Sequence, residues 1–125
     1  IVTREDLSDG YKAVQSTHAA ISFIFEHPGR AGPWYHESNY LIEKVVKDEK
    51  ELKILIRKCE EKQLAVTVFR EPDIGNQVTA IAIEPSETTQ RIVSKIPLLF
   101  KNKTIDHDKE HEGDKNLFEN ISNQG

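Results

Sequence analysis

The spacing of hydrophobic residues changes several times along residues 1–100, and each change indicates a new element. Between Tyr11 and Phe25 the apolar residues fall near one face at helical spacing, which predicts a long first helix. A second helix is predicted over about Glu49–Lys62, because apolar residues repeat there at i, i+3, i+4 and i+7. Asp48 and Glu51 form a capping-box-like start for this second helix.

Segments rich in β-branched and aromatic residues predict the strands. They are Ile1–Thr3, Tyr40–Val46, Leu64–Phe69 and Val78–Ile83. The segment Glu71–Gln77 joins the last two strands and is too short for a helical crossover, so we expect these strands to pair antiparallel. The second strand, second helix and third strand form a βαβ-type crossover, which is right-handed if the two strands are parallel.

Prolines and cap formers place the remaining elements. His27–Pro33 contains two prolines and two glycines and predicts a break, followed by a short helix over Trp34–Ser38. Ser86 is predicted to cap a last helix over about Glu87–Ile96, which Pro97 ends. The order β-α-β-α-β-β-α predicts an α/β fold, a single domain of three-layer α/β/α architecture with a four-stranded mixed sheet.

The chain changes character after residue 100. We expect residues 1–100 to form the domain and residues 101–125 to be a charged, flexible tail, or a helix that docks only on a protein partner. The tail holds four lysines and six acidic residues, so it carries −2 of the net charge of −4. Its His107 and His111 are spaced for a divalent metal, with Asp108 and Glu110 beside them. Without a further ligand on a stable element we interpret them as solvated, and we expect no metal or cofactor.

Composition excludes some classes of function. The acidic net charge argues against indiscriminate nucleic-acid binding through a basic surface. No apolar run approaches the ~20 residues needed to span a bilayer, so we expect no membrane span. The single cysteine, Cys59, excludes an internal disulfide and a cysteine-based zinc site, and it agrees with a reducing cytoplasm. Trp34 and Tyr35 could stack on a nucleic-acid base, but an anchoring role over the sheet is the commoner one.

Two segments resemble a known family. Arg4–Leu7 (R-E-D-L) followed by Gln15–Ala20 (Q-S-T-H-A-A) resembles the R-x-D-L and A-Q-x-x-H-A signature of type 2 peptidyl-tRNA hydrolases. Val78–Pro85 (V-T-A-I-A-I-E-P) resembles the closing T-x-x-x-I-x-P strand of that family. The resemblance covers residues 1–100. It implies a three-layer α/β/α fold, peptidyl-tRNA as substrate and a homodimer.

The chain departs from the family pattern at two places. The family's catalytic lysine lies four residues before the glutamine, where this chain has Tyr11, and Lys12 follows one residue later. The family's D-A-G-x-T-Q loop is shortened here to Glu71–Gln77, in which Asp73 stands for the acidic residue and the threonine is missing. The sequence is closer to a divergent, domain-containing branch of the family.

Cleaving a peptidyl ester from the tRNA ribose requires a positioned water, oxyanion stabilisation and a proton donor for the leaving group. The resemblance implies that Lys12 supplies positive charge, that Asp73 orients or deprotonates the water, and that Thr79 hydrogen-bonds the substrate. His18 lies one helical turn after Gln15, so both are expected to face the same cleft. The predicted substrate-binding residues are Arg4, Asp6 and Gln15.

Each of these residues also has a structural interpretation. A lysine near a helix start is most often solvated, a histidine in an Ala-rich helix is most often packed, and a threonine in a strand follows β-propensity. Gln15 suits a tie to a loop backbone, and Asp6 and Asp73 suit turns or caps. The leading hypothesis is therefore an esterase acting on peptidyl-tRNA. The alternatives are an inactive RNA- or protein-binding module with the same fold, and a hydrolase of another small ester or amide.

Overall fold

A computed structural model describes residues 1–101 of the chain. Within them, helices separate the first three strands, and the last two strands form a hairpin. In chain order the elements are β1 (Val2–Arg4), α1 (Asp9–Glu26), α2 (Pro28–His36), β2 (Lys44–Val46), α3 (Glu49–Glu61), β3 (Val66–Glu71), a 3₁₀ turn (Pro72–Ile74), β4 (Gln77–Ile83) and α4 (Glu87–Val93).

The strands form one mixed sheet in the order β2-β1-β4-β3. β1 pairs parallel with β2 and antiparallel with β4, and β3 pairs antiparallel with β4. The predicted four-stranded mixed sheet and the β3–β4 hairpin are confirmed. β2 and β3 lie at opposite edges, so the β2–α3–β3 connection passes over the two strands between them.

Helices cover both faces of the sheet, which confirms the predicted α/β fold. On one face α3 packs on the sheet through a core of larger side chains: Val2, Leu52, Leu55, Cys59, Val78 and Ile81. On the other face α1 and α2 pack through mostly small ones: Ala19, Phe23, Ala31, Ala80 and Ala82. Small side chains allow α1 to lie close to β4, so polar groups of the two elements come within hydrogen-bonding distance.

Side-chain caps define where the helices begin. Ser8 Oγ accepts from the Tyr11 backbone N–H at 3.3 Å, so α1 starts at Asp9, two residues before the predicted start. Asp48 Oδ1 accepts from the Glu51 N–H at 3.0 Å and begins α3 as predicted. The earlier start of α1 places Tyr11 and Lys12 at the end of its first turn rather than at its first two residues.

The predicted break at His27–Pro33 is confined to His27, and the helix predicted over Trp34–Ser38 is the end of a longer one, because α2 runs from Pro28 to His36. Pro28 stands in the first turn of α2, where a missing N–H has no cost. Pro33 is inside α2 and lacks the N–H that would bond to the carbonyl of the residue four before it. Ala31 of α2 is buried in the same core cluster as Ala19 and Phe23 of α1.

Other boundaries also differ from the prediction: β1 and β3 lie one and two residues later in the chain than predicted, and the changes at β2 and α4 are larger. β2 spans Lys44–Val46 instead of Tyr40–Val46, because its partner β1 offers only three residues for pairing. Tyr40, Leu41 and Ile42 therefore lie in an exposed connection. α4 ends at Val93 rather than Ile96, and the Ser94 hydroxyl donates to the Arg91 carbonyl at 3.0 Å beyond that end. The predicted tail beyond residue 101 lies outside the described residues.

Candidate active site

A β-bulge in the β3–β4 hairpin positions the first polar group of the site. Phe69 lies opposite Ala80 and Arg70 lies opposite Val78, so Thr79 has no partner on β3. The extra residue breaks the alternation of side chains along β4. Thr79 and Ala80, although consecutive, both face α1, where Thr79 bonds to Gln15 and Ala80 packs on Ala19. The bulge thus directs a strand hydroxyl towards the helix.

Thr79, Gln15 and Glu71 form a continuous chain of hydrogen bonds. The Thr79 hydroxyl donates to Gln15 Oε1 at 2.5 Å, and Gln15 Nε2 donates to Glu71 Oε2 at 3.2 Å. Thr79 and Gln15 are 0% and 3% exposed, so neither amide end has water as an alternative partner. Because a carboxylate can only accept, Glu71 fixes the NH₂ end of the Gln15 amide, and the Thr79 hydroxyl, which can donate or accept, donates to the oxygen end.

Glu71 is the half-buried carboxylate at the end of this chain. It is the last residue of β3 and precedes the 3₁₀ turn Pro72–Ile74. Its second oxygen, Oε1, accepts weakly from the Asp73 N–H at 3.5 Å. The carboxylate is thus held on both sides but still reaches solvent, which suits a group that accepts a proton from water.

Tyr11 lies on the same face of α1 as Gln15, one turn earlier at i−4. Burial raises the pKa of the Tyr11 phenol above its ordinary value of 10.0, and the negative charges of Glu71 and Asp73 raise it further. Near neutral pH the phenol is therefore uncharged and able to donate a hydrogen bond.

His18 continues this face of α1, at i+3 from Gln15. Its ring stacks on Phe69 with the centroids 4.5 Å apart and the planes 6° from parallel. His18 is exposed, whereas Phe69 packs against the α1-side core. The structure therefore brings His18, Gln15 and Thr79 together, three of the residues that the sequence singled out.

The structure does not bring Lys12 and Asp73 together. Lys12 is only 2% exposed, and its ammonium lies 3.3 Å from both Glu5 Oε1 and Asp9 Oδ1. It also lies 5.9 Å from the centroid of the Phe100 ring. These contacts direct Lys12 towards the β1–α1 loop, because one residue along a helix turns a side chain by ~100° from Tyr11. The Asp73 side chain is exposed beyond the end of β3.

Arg4 and Asp6 bind each other through two hydrogen bonds, Nε to Oδ1 at 2.9 Å and Nη2 to Oδ2 at 2.8 Å. Arg4 Nη1 also donates to Gln77 Oε1 at 2.9 Å and to the Val78 carbonyl at 3.0 Å. The Arg4 hydrogen bonds hold the pKa of Asp6 below its ordinary value. The pair thus ties the β1–α1 loop to β4 close to the bulge.

Sequence reasoning missed Glu71 and assigned Tyr11 no role. Asp73 was predicted because the family loop has an acidic residue shortly before a glycine. Glu71 was not predicted because it precedes a proline instead. The available signals were positional. Glu71 is two residues after Phe69 on β3, so the two side chains are expected on the same face of the sheet. Tyr11 precedes Gln15 by one helical turn, so the two are expected on the same face of α1.

Other candidates lie elsewhere. Trp34 Nε1 donates a hydrogen bond to the Tyr40 carbonyl at 2.6 Å. The Trp34 side chain, with Phe23 and Ile24, lines an apolar groove of about 420 Å³ near the other end of α1. Cys59 lies on the buried face of α3, against the sheet. Burial, and secondarily the charge of Glu60, raises the pKa of its thiol to about 11. Residues 1–101 contain no cluster of His, Cys, Asp and Glu suited to a metal ion. The four tail residues predicted as solvated lie outside the described residues; they are His107, Asp108, Glu110 and His111.

A carboxylate oriented by a buried amide is a candidate general base, and a neutral phenol on the same face of α1 as that amide is a candidate hydrogen-bond donor. The sequence profile of the family described as peptidyl-tRNA hydrolase PTH2 matches residues 1–99. The chain therefore belongs to the peptidyl-tRNA hydrolase PTH2 family, and membership supports a function of the peptidyl-tRNA hydrolase type. No curated protein matches the chain. Within residues 1–101 every helix is too short or too polar to cross a membrane.

Proposed function

We propose that this protein hydrolyses the ester bond of peptidyl-tRNA, or of an N-blocked aminoacyl-tRNA, and releases free tRNA. The observation that carries the proposal is the hydrogen-bonded chain from Thr79 through Gln15 to Glu71. It holds one half-buried carboxylate in a fixed orientation at the solvent edge of the sheet, in a chain whose family acts on this ester.

Glu71 is the proposed general base. Its carboxylate takes a proton from a water molecule as the water oxygen attacks the ester carbonyl carbon. The carbonyl π electrons move onto oxygen and form a tetrahedral oxyanion. Gln15 and Thr79 are positioning residues, because they orient Glu71 and are themselves too buried to touch the substrate.

Tyr11 is the proposed hydrogen-bond donor of the site. When the tetrahedral intermediate collapses, the carbon–oxygen bond to the ribose breaks and the ribose oxygen needs a proton. The proton that Glu71 took from water can return to this oxygen, so the base is regenerated. A neutral phenol one helical turn from Gln15 is suited to stabilise the oxyanion or the departing oxygen.

The remaining predicted residues take supporting roles in this proposal. Arg4 and Asp6 hold the loop that leads into α1. Lys12 fixes the first turn of α1 through Glu5 and Asp9. We propose tRNA as the partner. A cytoplasmic location, a homodimer and a protein partner for the tail stay predictions from the sequence.

The proposal is tested by measuring the release of N-acetylated amino acid from N-acetyl-aminoacyl-tRNA. The wild type should release it well above the no-enzyme background, and Glu71→Gln should lose about 10²–10⁴-fold of that rate. Glu61→Gln is the matched control, since Glu61 is exposed at the end of α3 on the opposite face of the sheet. Background release by the wild type would exclude the proposed activity.

A second candidate is a non-catalytic module that binds RNA or a protein with the same fold. The burial of Lys12 between Glu5 and Asp9 favours it, because this ammonium is engaged away from Glu71. Tight binding of N-acetyl-aminoacyl-tRNA without any release would support this candidate over the esterase.

A further inference from the structure

His18 and Phe69 form an aromatic pair with one accessible surface. The two rings are nearly parallel, at 6° and 4.5 Å, so Phe69 covers one face of the imidazole. Phe69 is partly buried against the α1-side core, which supports the pair from below. His18 itself is exposed, so its edge and outer face are open to solvent.

The pair stands directly beside the proposed catalytic carboxylate. β3 presents Phe69 and Glu71 to α1, two residues apart, which corresponds to ~6.6 Å along a strand. α1 presents His18 and Gln15 to β3, three residues apart, which corresponds to ~4.5 Å along the helix. The two elements therefore make two adjacent contacts, one polar and one aromatic.

His18 lacks the support that a proton-transferring histidine normally has. In such sites a partner hydrogen-bonded to one ring nitrogen sets the tautomer and the orientation of the ring. Among residues 1–101 neither ring nitrogen of His18 has a protein hydrogen-bond partner. Stacking, not hydrogen bonding, orients this ring.

We infer that the outer face of His18, supported by Phe69, binds the terminal nucleobase of the RNA by stacking. The inference rests on the proposed function, because the ester to be cleaved is carried on the ribose of the terminal adenosine. A single ribose separates that ester from its base, and three residues of α1, ~4.5 Å along the helix, separate His18 from Gln15 and its contact with Glu71. An adenine on His18 would thus place its ribose ester near Glu71.

The experiment compares His18→Ala, which removes the ring, with His18→Phe, which keeps a flat ring but no titratable nitrogen. His36→Ala is the control, because His36 is also an exposed helical histidine but lies on α2. Base stacking on aromatic side chains is worth ~1–3 kcal/mol, so His18→Ala should raise KM for N-acetyl-aminoacyl-tRNA about 5- to 150-fold. His18→Phe should recover most of the KM that His18→Ala loses, and His36→Ala should keep the wild-type KM and kcat.

Binding of AMP and of ribose 5-phosphate, measured by titration calorimetry, tests the base directly. The wild type and His18→Phe should bind AMP more tightly than ribose 5-phosphate, and His18→Ala should bind the two alike. Equal binding of the two ligands by the wild type would overturn the inference. So would a fall in kcat that is the same for His18→Ala and His18→Phe, since that indicates proton transfer.

The two ligand titrations need no turnover, so they separate this inference from the proposed function. If the wild type hydrolyses no ester but discriminates AMP from ribose 5-phosphate through His18, the activity is wrong and the stacking site stands. If the wild type is active and the His18 variants bind AMP as it does, the activity stands and the stacking site is wrong.

Discussion

The Thr79 hydroxyl and the Gln15 amide oxygen, 64 positions apart in sequence, are joined by a hydrogen bond of 2.5 Å in the interior of the domain. This bond depends on the bulge that leaves Thr79 unpaired on β4, because a regular strand would not turn Thr79 and Ala80 to the same face. It fixes the orientation of Gln15, which in turn fixes Glu71. The geometry of the candidate site therefore depends on the bulge in β4.

Replacing Thr79 by valine should affect both stability and activity. Valine has nearly the same shape but lacks the donor, so the buried Gln15 Oε1 is left without a partner. We expect Thr79→Val to lower the free energy of unfolding by about 1–3 kcal/mol and to lower kcat as Glu71 loses its orientation. Thr79→Ser, which keeps the hydroxyl, should retain most of both. Urea denaturation and the esterase assay measure the two effects, and wild-type behaviour of Thr79→Val would contradict the chain of bonds.

The contacts of Lys12 predict that it stabilises the fold more than it assists the reaction. Lys12→Met keeps the volume of the stem but removes the charge between Glu5 and Asp9, whose side chains are about half exposed. Because those carboxylates can rehydrate, we expect a loss of only about 1–2 kcal/mol in unfolding free energy. kcat should change by less than about threefold. A large fall in kcat with unchanged thermal stability would instead return Lys12 to the oxyanion role that the resemblance implies.

The Arg4–Asp6 pair predicts a pH dependence of stability. The pKa of Asp6 is lowered in the folded state, mainly by the hydrogen bonds from Arg4. Its contribution is therefore fully present above the ordinary pKa of 3.8 and is lost as the pH falls through the lower, folded-state pKa. Asp6→Asn should destabilise the protein at pH 7 and reduce the loss of stability below pH ~4. Parallel stability curves for the variant and the wild type over that range would count against the pair.

Cys59 should be an unreactive thiol. Its burial, with a smaller effect of Glu60, raises the pKa to about 11, so little thiolate exists near neutral pH. We expect the native protein to resist iodoacetamide at pH 8 and to be alkylated once urea unfolds it, with mass spectrometry as the readout. Fast alkylation of the folded protein would show that the region under α3 opens.

Most of the fold could be predicted from sequence because its signals are local. The helical period in α1 and α3, the cap at Asp48 and the turn formers between β3 and β4 act over a few residues. The start of α2 was not predicted, because the prolines and glycines of His27–Pro33 are local signals for a break, whereas α2 packs Ala31 into the α1-side core through contacts distant in sequence. The length of β2 was overestimated, because β2 extends only as far as its pairing with the three residues of β1.

The site was only partly predictable, because side-chain direction there depends on register. Gln15, His18 and Thr79 were proposed from the motifs on α1 and β4 that resemble those of the family. Whether Tyr11 or Lys12 faces the hairpin depends on how the first turn of α1 is built. Ser8 caps this turn and α1 begins at Asp9, two residues before the start predicted from sequence. The choice of Glu71 over Asp73 depends on the 3₁₀ turn that follows β3, which leaves the Asp73 side chain exposed.

The most direct test of the account compares these two carboxylates in one assay. Glu71→Gln and Asp73→Asn each remove one negative charge with almost no change of shape. The hydrogen-bonded chain predicts that kcat for N-acetyl-aminoacyl-tRNA falls about 10²–10⁴-fold in Glu71→Gln and changes little in Asp73→Asn. A large loss in Asp73→Asn with near wild-type activity in Glu71→Gln would contradict the central claim.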